Sequence, residues 1–126
     1  MNSLDTNVVL RYLLDDVPEQ TPKAAAIIDN SASYVTDVVV TEVVFVLERV
    51  IGLERTDISR LIQAFLSLPN LIYNDYLLDG VLELYLQQPL LSFVDCYAAI
   101  EAKLYANRLV TFDKQLAKHG AAKLLG

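Results

Sequence analysis

The sequence predicts an α/β domain with a short, mostly parallel central sheet of about 4–5 strands flanked by about 6–7 helices. Three observations predict this fold. The chain has 126 residues, enough for one domain with a buried core. Apolar and aromatic residues make up 54% of it, which argues against disorder. Short β-like runs alternate with helical runs along the whole chain, as expected for parallel strands joined by helices.

The predicted strands are short runs bounded by polar or helical segments. They comprise NSLD (2–5), SYVT (33–36), LIYN (71–74), LVTF (109–112) and, as a last edge strand, AKLL (122–125). No Gly/Ser-rich linker, low-complexity segment or internal repeat separates them. We therefore expect residues 1–126 to form a single domain.

Seven further segments have the composition of helices. They are residues 8–16, 21–30, 38–51, 56–68, 76–88, 92–107 and 114–119. In the second, Pro22 occupies a first-turn position, where its missing amide is tolerated. In the fourth, Thr56 or Asp57 is expected to be the N-cap, and the helix is expected to stop before Pro69.

The valine-rich stretch VVVTEVVFVL (38–47) resembles a strand in composition, but its polar residues favour a helix. At about 100° per residue, Thr41, Glu42, Glu48 and Arg49 fall within one arc of roughly 120°. Adjacent Thr41 and Glu42 would also break the two-residue period of a half-buried strand. Residues 38–51 are therefore predicted to form a helix with one narrow polar stripe, on which Glu42 lies.

The charge of the chain is unevenly distributed. The formal net charge is −6, which argues against a protein that holds nucleic acid by overall basicity. Residues 102–126, however, carry five basic residues against one acidic residue, for a net charge of +4, so the first 101 residues carry −10. We hypothesise that Lys103, Lys114 and Lys118 of this basic segment face a phosphate backbone, although solvated lysines on a surface helix are the commoner explanation.

Other features of the composition indicate where the protein works. The single cysteine, Cys96, allows no internal disulfide and no thiolate zinc cluster, which suits a reducing cytoplasm. The single histidine excludes motifs that need two. No apolar run approaches the roughly 20 residues of a membrane span, and the N-terminus lacks the pattern of a secretory signal. We expect a cytoplasmic protein with no membrane segment.

Four acidic residues lie at or near the starts of predicted helices, and each has an ordinary structural explanation. Asp5 and Asp113 follow strands and could be N-caps. Ser92 and Asp95 have the spacing of a capping-box variant. Glu42 could be a solvated residue on the outer face of its helix.

Considered together, Asp5, Glu42, Asp95 and Asp113 suggest a metal site. The carboxyl ends of parallel strands share one edge of a sheet, and ligands bind there. Four carboxylates at one edge would repel each other unless they shared protons or bound a divalent cation. Because all the candidate ligand atoms are carboxylate oxygens, Mg²⁺ or Mn²⁺ is favoured over zinc.

These acids lie in four segments: LDTNVVLRYLL, TDVVVTEVVFVL, FVDCYAAIEAKL and LVTFDKQLAK. In this order and spacing, the segments resemble the PIN-domain ribonucleases, and most closely the VapC-type toxins of prokaryotic toxin–antitoxin pairs. The resemblance spans nearly the whole chain. It departs from many relatives at the loop before the last acid, which lacks a glycine, and at Cys96 and Tyr97, where an alanine commonly follows the third acid.

The resemblance implies a Mg²⁺- or Mn²⁺-dependent endoribonuclease that cleaves RNA by metal-activated water. Asp5, Glu42, Asp95 and Asp113 would be its catalytic and metal-binding residues. Asp5 and Asp95 would be direct ligands, while Glu42 and Asp113 would bind a second ion or orient metal-bound water.

The resemblance also places other residues near the acids. Thr6, Asn7 and Thr111 adjoin the ligands and would supply supporting hydrogen bonds. Arg11 and Lys114 are candidates for contacts with a phosphate or an antitoxin, or are surface charges.

The implied partners are RNA, a small cognate antitoxin that covers the acidic crevice, and a second copy of the chain. Apolar faces for a homodimer could come from VVVTEVVFVLERVIG and YLLDGVLELYL. The sequence leaves two alternatives open: a PIN-fold interaction module that has lost catalysis, and a housekeeping PIN nuclease of RNA processing.

Overall fold

A computed structural model describes all 126 residues and confirms the predicted fold class. Helices alternate with short parallel strands along the chain. Two compact units can be distinguished, Met1–Asn74 and Asp75–Gly126. None of the helices combines the length and the apolar character that crossing a membrane requires.

The first unit contains three strands and four α-helices. In chain order these are β1 (Asn2–Ser3), α1 (Thr6–Leu14), α2 (Thr21–Asn30), β2 (Ser33–Tyr34), α3 (Asp37–Phe45), α4 (Arg55–Leu66) and β3 (Leu71–Ile72). A π-helical segment, Val46–Ile51, continues α3 without a break. The predicted helix over residues 38–51 is thus confirmed, although its last six residues are wound as a π-helix.

The sheet of the first unit is parallel, with the order β1-β2-β3. Its register aligns Ser3 with Tyr34 and Tyr34 with Ile72. The ladder continues beyond these residues, because the amide of Leu4 donates to the carbonyl of Tyr34 at 2.9 Å and the amide of Val35 donates to that of Ile72 at 3.0 Å. All three strands therefore end together at one edge.

The valines of α3 explain why this segment is a helix. Val40, Val43, Val44 and Leu47 recur at helical spacing and are buried, so one face of the helix supports the core. Helix α1 packs against α2 and α3. The π-helical segment ends at Gly52, whose φ of +82° lies in the left-handed region that favours glycine.

The second unit contains α5 (Asp75–Gln87), α6 (Phe93–Leu104), β4 (Val110–Thr111), α7 (Lys114–His119) and β5 (Lys123–Leu124). Strands β4 and β5 form a separate parallel pair, in which Val110 is aligned with Lys123 and Thr111 with Leu124. The five predicted strands are all present, but as a three-stranded sheet and a pair rather than one continuous ladder.

The core of the second unit lies mainly between α5 and α6. The rings of Tyr85 and Phe93 meet edge to face, with centroids 5.5 Å apart. Cys96 is fully buried in α6 and forms no disulfide, so it is a core residue. The apolar residues of α5 are mostly consumed by this core: Leu77, Leu78, Val81, Leu82 and Tyr85 are buried.

The predicted N-cap of the fourth helix is wrong. Helix α4 begins at Arg55, with Glu54 in the extended N-cap position, rather than at Thr56 or Asp57. The side chain of Glu54 makes no capping hydrogen bond, while Asp57 lies in the first turn. A carboxylate there interacts favourably with the helix dipole without being the cap, which is why the sequence pattern was misleading.

Gly120 after α7 is expected to tolerate no side chain. A Cβ at this position would lie 2.9 Å from the carbonyl oxygen of Leu116 and 2.7 Å from its Cδ1 atom. We expect Gly120→Ala to lower the free energy of unfolding by about 1–3 kcal/mol, measured by urea denaturation. Gly80→Ala is the control: its Cβ would meet only the flexible Ile100 side chain, at 3.2 Å, and helix propensity favours alanine. Equal losses for the two variants would contradict this interpretation.

Candidate active site

Three polar residues follow the strands at the carboxyl edge of the first unit's sheet. Ser3, Tyr34 and Ile72 are in register. The residues two positions further on, Asp5, Thr36 and Asn74, therefore follow neighbouring strands. Adjacent strands lie about 4.8 Å apart. The sheet therefore brings one predicted acid, Asp5, to the edge together with two polar side chains that were not predicted to lie there.

Asp5 occupies the N-cap position of α1 but does not cap it. Its backbone is extended, with φ −81° and ψ 158°, and its side chain makes no capping hydrogen bond. The exposed carboxylate has no ion pair either. Among its neighbours, Thr6 is buried and Asn7 is exposed. A capping bond is typically worth about 1 kcal/mol. Because Asp5 does not make one, its carboxylate is available to a ligand.

Glu42 lies on the exposed face of α3, as the helical wheel predicted. Thr36 caps the helix by accepting a hydrogen bond from the amide of Val39 at 3.1 Å. The Glu42 carboxylate makes no hydrogen bond or ion pair. The predicted polar stripe is wrong in one respect, because Val38 and Phe45 share the outer surface with exposures of 73% and 58%.

Asp37 and Asn74 are not among the site residues predicted from the sequence. The amide nitrogen Nδ2 of Asn74 donates to Oδ2 of the half-buried Asp37 at 3.2 Å, which links the ends of β2 and β3. Asp37 is also the first residue of α3, and its backbone carbonyl accepts a hydrogen bond from Thr41 Oγ1 at 2.8 Å. The available signal was its place after β2, which parallels the place of Asp5 after β1.

In the second unit, Asp95 lies in the first turn of α6. Ser92 is the N-cap, and its Oγ accepts a hydrogen bond from the amide of Asp95 at 3.0 Å. The reciprocal bond of a full capping box, from the Ser92 amide to the Asp95 carboxylate, is absent. Of the two hydrogen bonds of a capping box, only the one accepted by Ser92 is therefore present. The half-buried Asp95 carboxylate has no hydrogen-bond or ion-pair partner.

Asp113 differs from the other three acids, because it is a true cap. Its Oδ1 accepts hydrogen bonds from the amides of Gln115 at 2.8 Å and Leu116 at 2.9 Å, at the start of α7. Thr111 Oγ1 accepts a hydrogen bond from the Asp113 amide at 2.9 Å. Thr111 thus fixes the backbone at Asp113. The other carboxylate oxygen, Oδ2, takes no part in capping.

The two predicted basic contact residues have different surroundings. Arg11 Nε lies 3.2 Å from Asp16 Oδ1, and the side chain lines a cleft of about 480 Å³ with Asn7 and Lys23. Lys114, the first residue of α7, is exposed and has no carboxylate partner. Of the two cations, Lys114 is therefore the one without an ion-pair partner within the protein.

The first unit carries Asp5 and Glu42, and the second carries Asp95 and Asp113. No group of three or more His, Cys, Asp or Glu side chains is close enough to hold a metal ion in this structure. The donor chemistry nevertheless fits Mg²⁺ or Mn²⁺, because the candidate ligands are carboxylates and three of the four have no competing partner.

A second concave surface in the first unit lies between α1 and α4. This α1–α4 groove has a volume of about 240 Å³ and is lined by Tyr12, Leu13, Leu61, Ala64, Phe65 and Leu68. The rings of Tyr12 and Phe65 lie 5.8 Å apart. Burial, and secondarily the negative charge of Asp29, raises the pKa of Tyr12, so its phenol stays neutral and the groove is uncharged.

The comparison with known families identifies one match. The family model described as PIN domain matches residues 3–122, which covers nearly the whole chain and all four candidate acids. No curated protein matches at a significant level.

Proposed function

Because the chain belongs to the PIN domain family, whose members are generally metal-dependent nucleases, we propose that it is a Mg²⁺- or Mn²⁺-dependent endoribonuclease. The observation that carries the proposal is the state of Asp5. This residue follows β1 at the carboxyl edge of the sheet and does not make the capping bonds that Asp113 makes. A carboxylate at the start of a helix ordinarily accepts capping hydrogen bonds. One that accepts none is suited to hold a ligand.

Asp5 and Asp95 are the proposed direct ligands, and Glu42 and Asp113 would hold a second ion or orient water. A bound divalent ion supplies positive charge that lowers the pKa of water and neutralises phosphate oxygens. The protein's own contribution is to fix the acids. Capping by Asp113 and its support by Thr111 hold one carboxylate at the start of α7. Thr6 and Asn7 directly follow Asp5 and are proposed to support it.

The experiment that tests this proposal measures RNA cleavage by the wild-type chain and by Asp5→Asn, each with Mg²⁺ and with a chelator. Cleavage is expected only from the wild type with Mg²⁺. Equal cleavage in all four reactions would contradict the proposed mechanism.

We further propose that residues 1–126 act as one PIN domain in the cytoplasm, as the toxin of a VapBC-type toxin–antitoxin pair. The α1–α4 groove supports an antitoxin partner, because an uncharged apolar groove suits the apolar face of an amphipathic helix. The cleft that contains Arg11 and Lys23 would suit acidic residues of the same partner. A homodimer is supported by the exposure of Val38, Phe45 and Val50 on α3 and its π-helical continuation.

Ala64, in the α1–α4 groove, allows a test of the antitoxin proposal. We expect Ala64→Arg to weaken neutralisation by the proposed cognate antitoxin by about 10-fold or more, because a charge would fill the apolar groove. RNA cleavage without antitoxin should be unchanged, since alanine and arginine have similar helix propensities. The measurement is cleavage as a function of antitoxin concentration.

Gln63→Arg is the matched control for this variant, because Gln63 is exposed on the same helix but does not line the groove. If Ala64→Arg and Gln63→Arg were neutralised equally well, the groove would not be the antitoxin site.

A further inference from the structure

Phe112 is the residue that follows β4 and directly precedes Asp113. Its aromatic side chain is 80% exposed, although strand-like runs such as LVTF ordinarily bury their large residues. Single exposed apolar residues are common and need no special explanation. The neighbours of Phe112 distinguish it from such cases.

The backbone on both sides of Phe112 is anchored. On the N-terminal side, β4 pairs with β5, and the amide of Leu125 donates to the carbonyl of Thr111 at 2.8 Å. On the C-terminal side, Asp113 caps α7 and its amide donates to Thr111 Oγ1. The exposed ring is therefore presented by an ordered segment, which reduces the entropy lost when a flat ligand stacks on it.

Two lysines lie close to this segment. Lys114 begins α7 two positions after Phe112, and Lys123 is aligned with Val110 on the neighbouring strand. The five basic side chains of residues 102–126 are exposed and have no carboxylate partner: Lys103, Arg108, Lys114, Lys118 and Lys123. The remaining 101 residues carry a net charge of −10, so a polyanion would approach the protein on this basic segment.

We propose that Phe112 is a base-stacking residue for single-stranded RNA. An unpaired base stacks on its ring, and Lys114 and Lys123 contact the neighbouring phosphates. An exposed aromatic ring with unpaired cations on neighbouring positions is the combination that binds single strands without sequence preference. Duplex RNA is disfavoured because its bases are already stacked on both faces. The link from this contact to cleavage rests on the proposed nuclease function, whereas the binding itself does not.

The absence of tryptophan from the chain gives a direct test. In Phe112→Trp, the only indole of the protein replaces the proposed stacking ring. Its fluorescence is measured in chelator, so that metal-dependent cleavage is prevented, while a single-stranded oligouridylate of about eight nucleotides is added. We expect saturable quenching that weakens as the salt concentration rises, and much weaker quenching by a hairpin duplex.

Tyr76→Trp is the matched control. Tyr76 is an aromatic residue of the same unit with 86% exposure, but Asp75 and Asp79 lie near it in α5. Its tryptophan should not respond to the oligouridylate. The proposal would be overturned by unchanged fluorescence of Phe112→Trp, by equal quenching with the duplex or with polyglutamate, or by the same response from Tyr76→Trp.

Cleavage kinetics separate this inference from the proposed function. Phe112→Ala is expected to raise KM for single-stranded RNA by about 5- to 150-fold, while Phe112→Tyr restores it. The rise in Tm produced by Mg²⁺ should be the same in Phe112→Ala as in the wild type, because the metal ligands are intact. Cleavage with an unchanged KM in Phe112→Ala would overturn the stacking role alone. If the wild type cut no RNA but Phe112→Trp were quenched as expected, the nuclease proposal would fail and the stacking role would stand.

Discussion

Replacing Asp5 with asparagine is expected to lower the rate of RNA cleavage by about 100-fold or more. Loss of a hydrogen-bonding partner behind a metal ligand already costs about 10–100-fold, and a direct ligand should cost at least as much. The fold should be unaffected, because the Asp5 carboxylate is exposed and makes no hydrogen bond. We therefore expect the free energy of unfolding to change by less than about 0.5 kcal/mol.

Two comparisons make the Asp5 result specific. Asp75 also begins a helix after a strand and is exposed, but it is not one of the four candidate acids, so Asp75→Asn should cleave RNA at the wild-type rate. Asp113→Ala should lose both activity and about 1 kcal/mol of stability, because Asp113 caps α7 with its side chain. A wild-type rate for Asp5→Asn would remove Asp5 from the proposed mechanism.

Removing divalent ions is expected to abolish cleavage, and adding them is expected to stabilise the fold. An ion present at about ten times its Kd contributes roughly 1.4 kcal/mol, which corresponds to a rise in Tm of roughly 4–6 °C for a chain of this size. The physical reason is that carboxylates such as Asp5 and Asp95 have no cation beside them in the protein itself. Thermal melts with Mg²⁺, with Mn²⁺ and with chelator provide the measurement.

The double variant Asp5→Asn/Asp95→Asn is the control for metal-linked stability, and it should show little or no rise in Tm. Asp75→Asn should respond as the wild type does. If millimolar Mg²⁺ and Mn²⁺ left the Tm of the wild-type chain unchanged, the four acids would not constitute a metal site.

Local patterns in the sequence were sufficient to predict most of the helices. The polar arc of Thr41, Glu42, Glu48 and Arg49 identified a helix despite the valines, and the structure confirms the exposure of Glu42. The arc was less informative after Leu47, because π-helical winding places Val50 and Ile51 on the surface, whereas α-helical spacing from Leu47 would bury them.

Features that depend on tertiary contacts could not be predicted. The hydrogen bond between Asn74 and Asp37 exists because the register of the sheet, which aligns Tyr34 with Ile72, brings these two residues together although they are 37 positions apart. The same limit applies to the apolar residues of α5, which looked available for a dimer but are consumed by the core of their own unit. Whether Asp5 and Asp113 used their side chains as caps was equally beyond the sequence, since both positions carry the same signal.

The π-helical segment Val46–Ile51 has a consequence for how this chain should be aligned with its relatives. A π-helical turn holds more residues than an α-helical turn, so the segment can absorb one additional residue without moving the start of α3 or the glycine that ends it. Relatives with an uninterrupted α-helix here would be one residue shorter between Glu42 and Gly52. An alignment gap belongs in this segment, because placing it before Glu42 would shift that residue out of its column.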